Sequence, residues 1–158
     1  MKSGVWIALG IGAVVVAAGI LNQGIDMSNS VILAFAAAIK KFEGWFPGSW
    51  SYETNNPGNL TDTHFTGTIG TKVNPASGIT FAVFDTPENG WNALVTKVSN
   101  AFSGLSKVYH PAMTISEFFG KYSGDQNEAQ AVADALGVDP STTLDQLNQI
   151  STDGGFQA

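Results

Sequence analysis

The feature that most constrains this chain is an uninterrupted apolar run from Val5 to Leu21, VWIALGIGAVVVAAGIL, that carries no charge. As a helix it would rise about 1.5 Å per residue and span roughly 25 Å, a little short of a hydrocarbon core of about 30 Å. Trp6 stands near one end, where an indole favours the membrane interface, with Lys2 on the same side and Asp26 beyond the other. The positive-inside bias then puts the amino terminus in the cytoplasm or particle interior and the rest of the chain outside. A cleavable signal peptide is the rival reading, with Lys2 as its basic region and Val16-Ala17-Ala18 as a small-residue cleavage site. The continuation of the run through Ile20 and Leu21 past that site favours a retained anchor. A buried core helix is a third reading, and the lack of any polar face weighs against it.

The rest of the 158 residues suits one domain with enough material to bury a core. Asn22 to Met27 is a short polar joint, far too short for a loose tether. We place the anchor at 1–24, the joint at 25–30, the domain at 31–150 and a polar, Gly-rich tail at 151–158. Ser28 or Asn29 is expected to cap a helix running to Phe42, with Ile32, Phe35, Ala36, Ile39 and Phe42 at helical spacing and Gly44 as its stop. Residues 45–64 read as loop. Two strands are expected at Thr66–Val73 and Ile79–Phe84, joined by Asn74-Pro75-Ala76-Ser77-Gly78. Asp85 or Thr86, followed by Pro87, opens a helix carrying Trp91, Leu94, Val95, Val98 and Phe102. Thr114 and Glu117 form a capping-box pattern, a helix follows from Gln126 to Leu136 closed by Gly137, and a last one holds Leu144, Leu147 and Ile150. A helix, a small antiparallel hairpin and then several helices make an α+β layout; alternating βαβ units are absent.

Composition narrows the chemistry. There is no cysteine, which removes disulfides, thiolate zinc sites and cysteine nucleophiles together. The net charge is −6, no arginine occurs, and only Lys40 and Lys41 are adjacent cations, so nucleic acid is not an expected partner. His64 and His110 stand apart without a ligand set, so no metal is expected, and no cofactor motif occurs.

Glu43 is the residue with a physical case for catalysis. The carboxyl end of a helix disfavours its negative charge, and Phe42, Trp45 and Phe46 flank it. Both influences favour the protonated carboxyl that a general acid needs. By position alone, a solvated glutamate paired to Lys40 is the better account.

The words around it add to this. Ala38-Ile39-Lys40-Lys41-Phe42-Glu43-Gly44-Trp45, then Pro47-Gly48-Ser49, then Asn55-Asn56-Pro57-Gly58-Asn59-Leu60 resemble the lysozyme-like lytic transglycosylases of bacteriophages and their bacterial relatives. Phe81 to Trp91 resembles that family's hairpin-to-helix passage, and Thr114-Ile115-Ser116-Glu117-Phe118, Lys121-Tyr122 and Ala135-Leu136-Gly137-Val138 resemble its closing helices. The resemblance covers about residues 31–147 in order. It implies a lysozyme-like fold, mainly helical with a small β-hairpin, whose first-helix glutamate faces a cleft for peptidoglycan glycan strands. Glu43 would then be the lone acid/base, cleaving between N-acetylmuramic acid and N-acetylglucosamine and closing a 1,6-anhydro ring. Asn55, Asn56, Asn59 and Tyr122 would be substrate contacts.

Turn chemistry around Pro57 accounts for the asparagines as well, and core packing accounts for Tyr122. Trp45 and Trp50 are candidates for stacking on sugar rings, while the helical spacing of Trp91 favours the core. Where the family often carries a basic residue before the Asn-Asn stretch, this chain has Glu53-Thr54. Glu53 as a second carboxylate would make a hydrolytic muramidase, and a non-catalytic glycan-binding virion or envelope protein is a further alternative. With the anchor, the reading is a single-pass membrane protein of a lipid-containing phage particle, with other virion membrane proteins as possible partners, or of a bacterial inner membrane facing the periplasm.

Overall fold

The computed structural model describes residues 27–152. The apolar run Val5–Leu21 and residues 153–158 lie outside them, and no helix among the described residues is long and apolar enough to cross a membrane. Among the described residues the architecture is α+β: six helices and a two-stranded antiparallel sheet.

Helix α1 (Met27–Phe42) is the axis of the molecule. It begins earlier than expected, so Ser28 and Asn29 lie within it instead of capping it, and the second half of the expected joint is helical. Its apolar stripe places Val31, Phe35, Ala36 and Ile39 in the core, as a 3.6-residue period requires. Phe35 is the hub: its ring meets Phe102 edge-on at 5.4 Å, Phe118 edge-on at 5.3 Å, and stacks on Phe119 at 5.8 Å. One aromatic side chain thus joins α1 to helix α3 (Pro87–Phe102) and helix α4 (Ile115–Tyr122).

The segment expected to be wholly loop contains helix α2 (Trp50–Glu53), a single turn capped by the Ser49 hydroxyl, which accepts from the Tyr52 amide. Strands β1 (Thr68–Val73) and β2 (Thr80–Phe84) form the hairpin, shorter than expected at their leading ends and bulged between Thr68 and Gly70. Thr86 caps α3 with Pro87 at its first position, and Thr114 and Glu117 form the full capping box of α4. Helix α5 (Gln126–Leu136) ends on Gly137 in the left-handed conformation. Helix α6 (Leu144–Thr152) continues past the expected start of the tail, with Ser151 buried.

Candidate active site

The site is assembled where the far end of α1 meets the segment from Thr54 to Leu60. That segment lies along the inner edge of β2 and satisfies it with both main-chain and amide groups. The Phe84 amide donates to the Thr54 carbonyl at 3.0 Å, and the Ala82 amide to the Leu60 carbonyl at 2.8 Å. Between them, Asn55 Nδ2 donates to the Phe84 carbonyl at 3.0 Å and Asn56 Nδ2 to the Ala82 carbonyl at 2.9 Å. Asn56 also grips its own loop, donating to the Leu60 carbonyl and accepting from the Leu60 amide. A strand edge that would otherwise be open is thus closed by side chains.

Two glycines permit the approach. A Cβ on Gly90, in the first turn of α3, would lie 1.7 Å from the Asn55 carbonyl oxygen, and one on Gly58 would lie 2.7 Å from Leu94 and 2.8 Å from the Tyr122 hydroxyl. Asn55 and Asn59 take positive φ values of 51° and 46°, which asparagine tolerates better than most residues. The turn through Pro57 and Gly58 then delivers Asn59 to Glu43.

Glu43 sits one residue beyond α1, its amide still bonded to the Ile39 carbonyl at 2.9 Å. Asn59 Nδ2 donates to Glu43 Oε2. This bond assigns Oε2 as an acceptor and leaves Oε1 as the oxygen to carry a transferable proton. Burial pushes the Glu43 carboxyl above its ordinary range, the Asn59 bond works against that rise, and the charge of Asp125 adds to it. The expected pairing with Lys40 is not made: Lys40 Nζ lies 4.9 Å from the ring centre of Trp45 and 5.5 Å from that of Trp91. Phe42 and Phe46 are 39% and 59% exposed, so they are poorer shields than their adjacency in sequence implied.

Comparison with known proteins finds no matching family model, curated protein or solved structure.

The other expected site residues separate into distinct roles. Asn56 is fully buried with its amide committed to Leu60 and Ala82, so it is a scaffold residue and not a sugar contact. The Asn55 nitrogen is likewise committed to the chain. Tyr122 stacks on Phe118 and donates to the Gly58 carbonyl at 2.5 Å, tying α4 to the turn that presents Asn59. Burial lifts its hydroxyl well above the ordinary range, and the charges of Glu43 and Glu128 lift it further. Glu53 pairs at 3.8 Å with Lys72 on β1, both side chains half-exposed. Lys72 in turn lies 4.8 Å from the Trp50 ring centre, which occupies that indole, while Trp45 packs on Tyr52. Trp91 packs against the core, as its spacing implied. His64 pairs with Asp62 at 2.6 Å, and no cluster of three metal-ligating side chains occurs among the described residues.

Sequence reasoning passed over Glu128. It is fully buried in the first turn of α5, and neither carboxylate oxygen has a hydrogen bond of good geometry. Burial raises it to about 8, against a weaker pull from the Ser123 hydroxyl, and the charges of Glu43 and Asp125 reinforce the rise. Its spacing was the available signal, because Glu128, Val132 and Leu136 share the buried stripe of α5. At neutral pH it is a neutral acid behind the site.

Proposed function

We propose that this chain is a lytic transglycosylase of the lysozyme-like kind, which cuts peptidoglycan glycan strands with Glu43 as its single acid/base. The observation that carries the reading is the Glu43 carboxyl itself: half-buried, biased toward its protonated form, and oriented by Asn59 in a site without a second carboxylate hydrogen-bonded to it. Protonated Glu43 gives its proton to the glycosidic oxygen as the bond from C1 of N-acetylmuramic acid breaks. The resulting carboxylate takes the proton of the muramoyl 6-hydroxyl while that oxygen bonds to C1. A 1,6-anhydro ring and a free N-acetylglucosamine 4-hydroxyl result, Glu43 is protonated again, and no water is consumed.

Hydrolytic schemes of the usual kind need two carboxyl groups flanking the bond. Glu53, the candidate second group, is directed to Lys72, which favours the lyase. The apolar run Val5–Leu21 supports a retained anchor with the amino terminus inside and the domain outside, which suits local wall opening by a phage virion. Mass analysis of sugar ends released from purified peptidoglycan tests the reaction. Anhydro-muramoyl ends are expected; reducing muramoyl ends would make the protein a hydrolase, and no release of fragments would make it a binding module.

A further inference from the structure

The segment that links α3 to α4 carries side chains that the core leaves out. Leu105 is 76% exposed and Val108 is 51% exposed, with the cation of Lys107 exposed between them. The segment is held in a defined shape, because the Ser106 amide bonds to the Asn100 carbonyl at 3.0 Å and the Ser106 hydroxyl accepts from the Val108 and Tyr109 amides. Apolar side chains presented from an ordered turn differ from scattered surface leucines in having a fixed direction.

Their position identifies what they face. The Phe102 carbonyl, three residues before Leu105, lies 3.5 Å from Asn148 Nδ2 on α6. One turn further along α6, Ser151 Oγ lies 3.2 Å from Ser30 Oγ in the first turn of α1. The Phe35–Phe102 ring contact sets the last residue of α3 beside the middle of α1, so the chain beyond it continues toward the start of α1. Leu105 therefore stands at the end of the molecule where α1 begins, opposite the end that carries Glu43. Outside the described residues, the apolar run closes at Leu21 and α1 opens at Met27. Five intervening residues reach at most about 17 Å even when fully extended. An anchored domain then keeps this end within that reach of the bilayer.

We infer that the turn from Ser103 to Val108 is a second membrane contact, with Leu105 and Val108 entering the lipid interface and Lys107 at the level of the phosphates. The inference rests on the anchored reading of Val5–Leu21. Short apolar side chains beside a lysine are what an interfacial contact uses, the apolar groups below the headgroups and the ammonium among them. In a chain of net charge −6, a lysine at this end also offsets repulsion from anionic lipid. Two attachments, one covalent through the joint and one through this turn, restrict how the domain can swing about Met27.

The chain has no cysteine, so single labels can be placed freely. The full-length protein is reconstituted in phosphatidylcholine vesicles as Leu105→Cys, Phe46→Cys and Ala13→Cys, each with a small fluorophore. Lipids carrying a quencher in the upper acyl chain are then added to the bilayer. Strong quenching at Leu105 with none at Phe46 is expected, and it should be lost when Val108→Asp and Lys107→Glu are added. Quenching at Ala13 but not at Leu105 overturns the second contact and leaves the anchor standing. A Leu105 label shielded from both lipid and aqueous quenchers overturns it in favour of cover by residues 153–158 or a second copy of the chain. An Ala13 label that fails to reach lipid overturns the anchor and the contact together.

Discussion

The helical side of the molecule and the loop-and-hairpin side hold Glu43 from opposite directions and by different forces. On the helical side, Phe35, Phe102, Phe118 and Phe119 pack edge to face and stacked, and position comes from apolar volume. On the other side, the stretch from Thr54 to Leu60 closes the edge of β2 with amide hydrogen bonds, and position comes from direction. Dispersion and apolar burial tolerate small shifts, whereas a hydrogen bond weakens steeply as its angle bends. The division of labour follows: the helices supply the stability, and the asparagine loop supplies the aim of Asn59 on Glu43.

The sharpest test removes the group on which both sides converge. Glu43→Gln should lower wall cleavage toward the upper end of the roughly 10²- to 10⁴-fold range for general acid–base groups while leaving the fold intact. Retention of more than a few per cent of activity, measured as release of soluble glycan, would remove Glu43 from the mechanism.

A second pair of changes separates the two sides directly. Phe35→Ala should cost about 3–5 kcal/mol in denaturant unfolding, because it opens a cavity among three packed rings. Asn56→Ala removes the partner of the Leu60 amide and the side-chain donor of the Ala82 carbonyl, at about 1–3 kcal/mol for each buried group that water cannot reach. It should reduce activity by more than its effect on stability explains. Equal losses of activity per unit of stability in the two variants would erase the distinction.

Glu128 breaks the rule on the helical side, since it is a polar group buried in a helix stripe with only a weak pull from the Ser123 hydroxyl. The folded protein keeps it protonated to about pH 8, whereas an unfolded chain ionises it near the ordinary glutamate range, 4.5. Between those values the unfolded state binds fewer protons, so Glu128 lowers stability as pH rises from about 4.5 to 8 and leaves it unaffected below. Glu128→Gln should flatten that decline by a few kcal/mol, on the order expected for a shift of this size. Unfolding curves at pH 5 and pH 8 that change in parallel for wild type and variant would contradict this.

The smallest effects concern the pH profile. On the proposed mechanism, activity would depend on protonated Glu43 and so would persist up to its raised folded value, then fall. Asn59→Ala removes the bond that holds this value down and should move the alkaline limb upward. Asp125→Asn removes a charge that raises it and should move the limb downward. The two limbs should therefore move in opposite directions. Shifts of the same sign in both would show that the two groups do not act on Glu43 separately.

Much of the helical side was legible in the sequence because its signals are local. Thr86-Pro87, Thr114 with Glu117, and Gly137 mark ends that the chain adopts, and the spacing of Phe35, Ala36 and Ile39 marks a buried stripe. The loop side was legible only as turn chemistry. Asparagine serves turns, edge closure and ligand contact alike, and which of these Asn55, Asn56 and Asn59 perform depends on partners 16 to 29 residues away. Helix α2 escaped notice because a single turn has no periodicity to read, only the Ser49 cap. Glu128 lay on a readable stripe, but a glutamate in the first turn of a helix is so ordinary a dipole partner that its burial was hidden.

Helix α1 has the Glu43 carboxyl just past one terminus and the start of the described residues at the other. Sixteen residues at about 1.5 Å each make it a ruler roughly 24 Å long. On an anchored chain with α1 standing along the bilayer normal, that length together with the joint would become a height: it would set how far above the lipid plane a glycan strand must run to be cut. Because the core grips α1 along its whole stripe, this height cannot adjust by bending the helix. Strands lying nearer to the membrane or farther from it would pass uncut, and the reach of the enzyme would be a layer of wall.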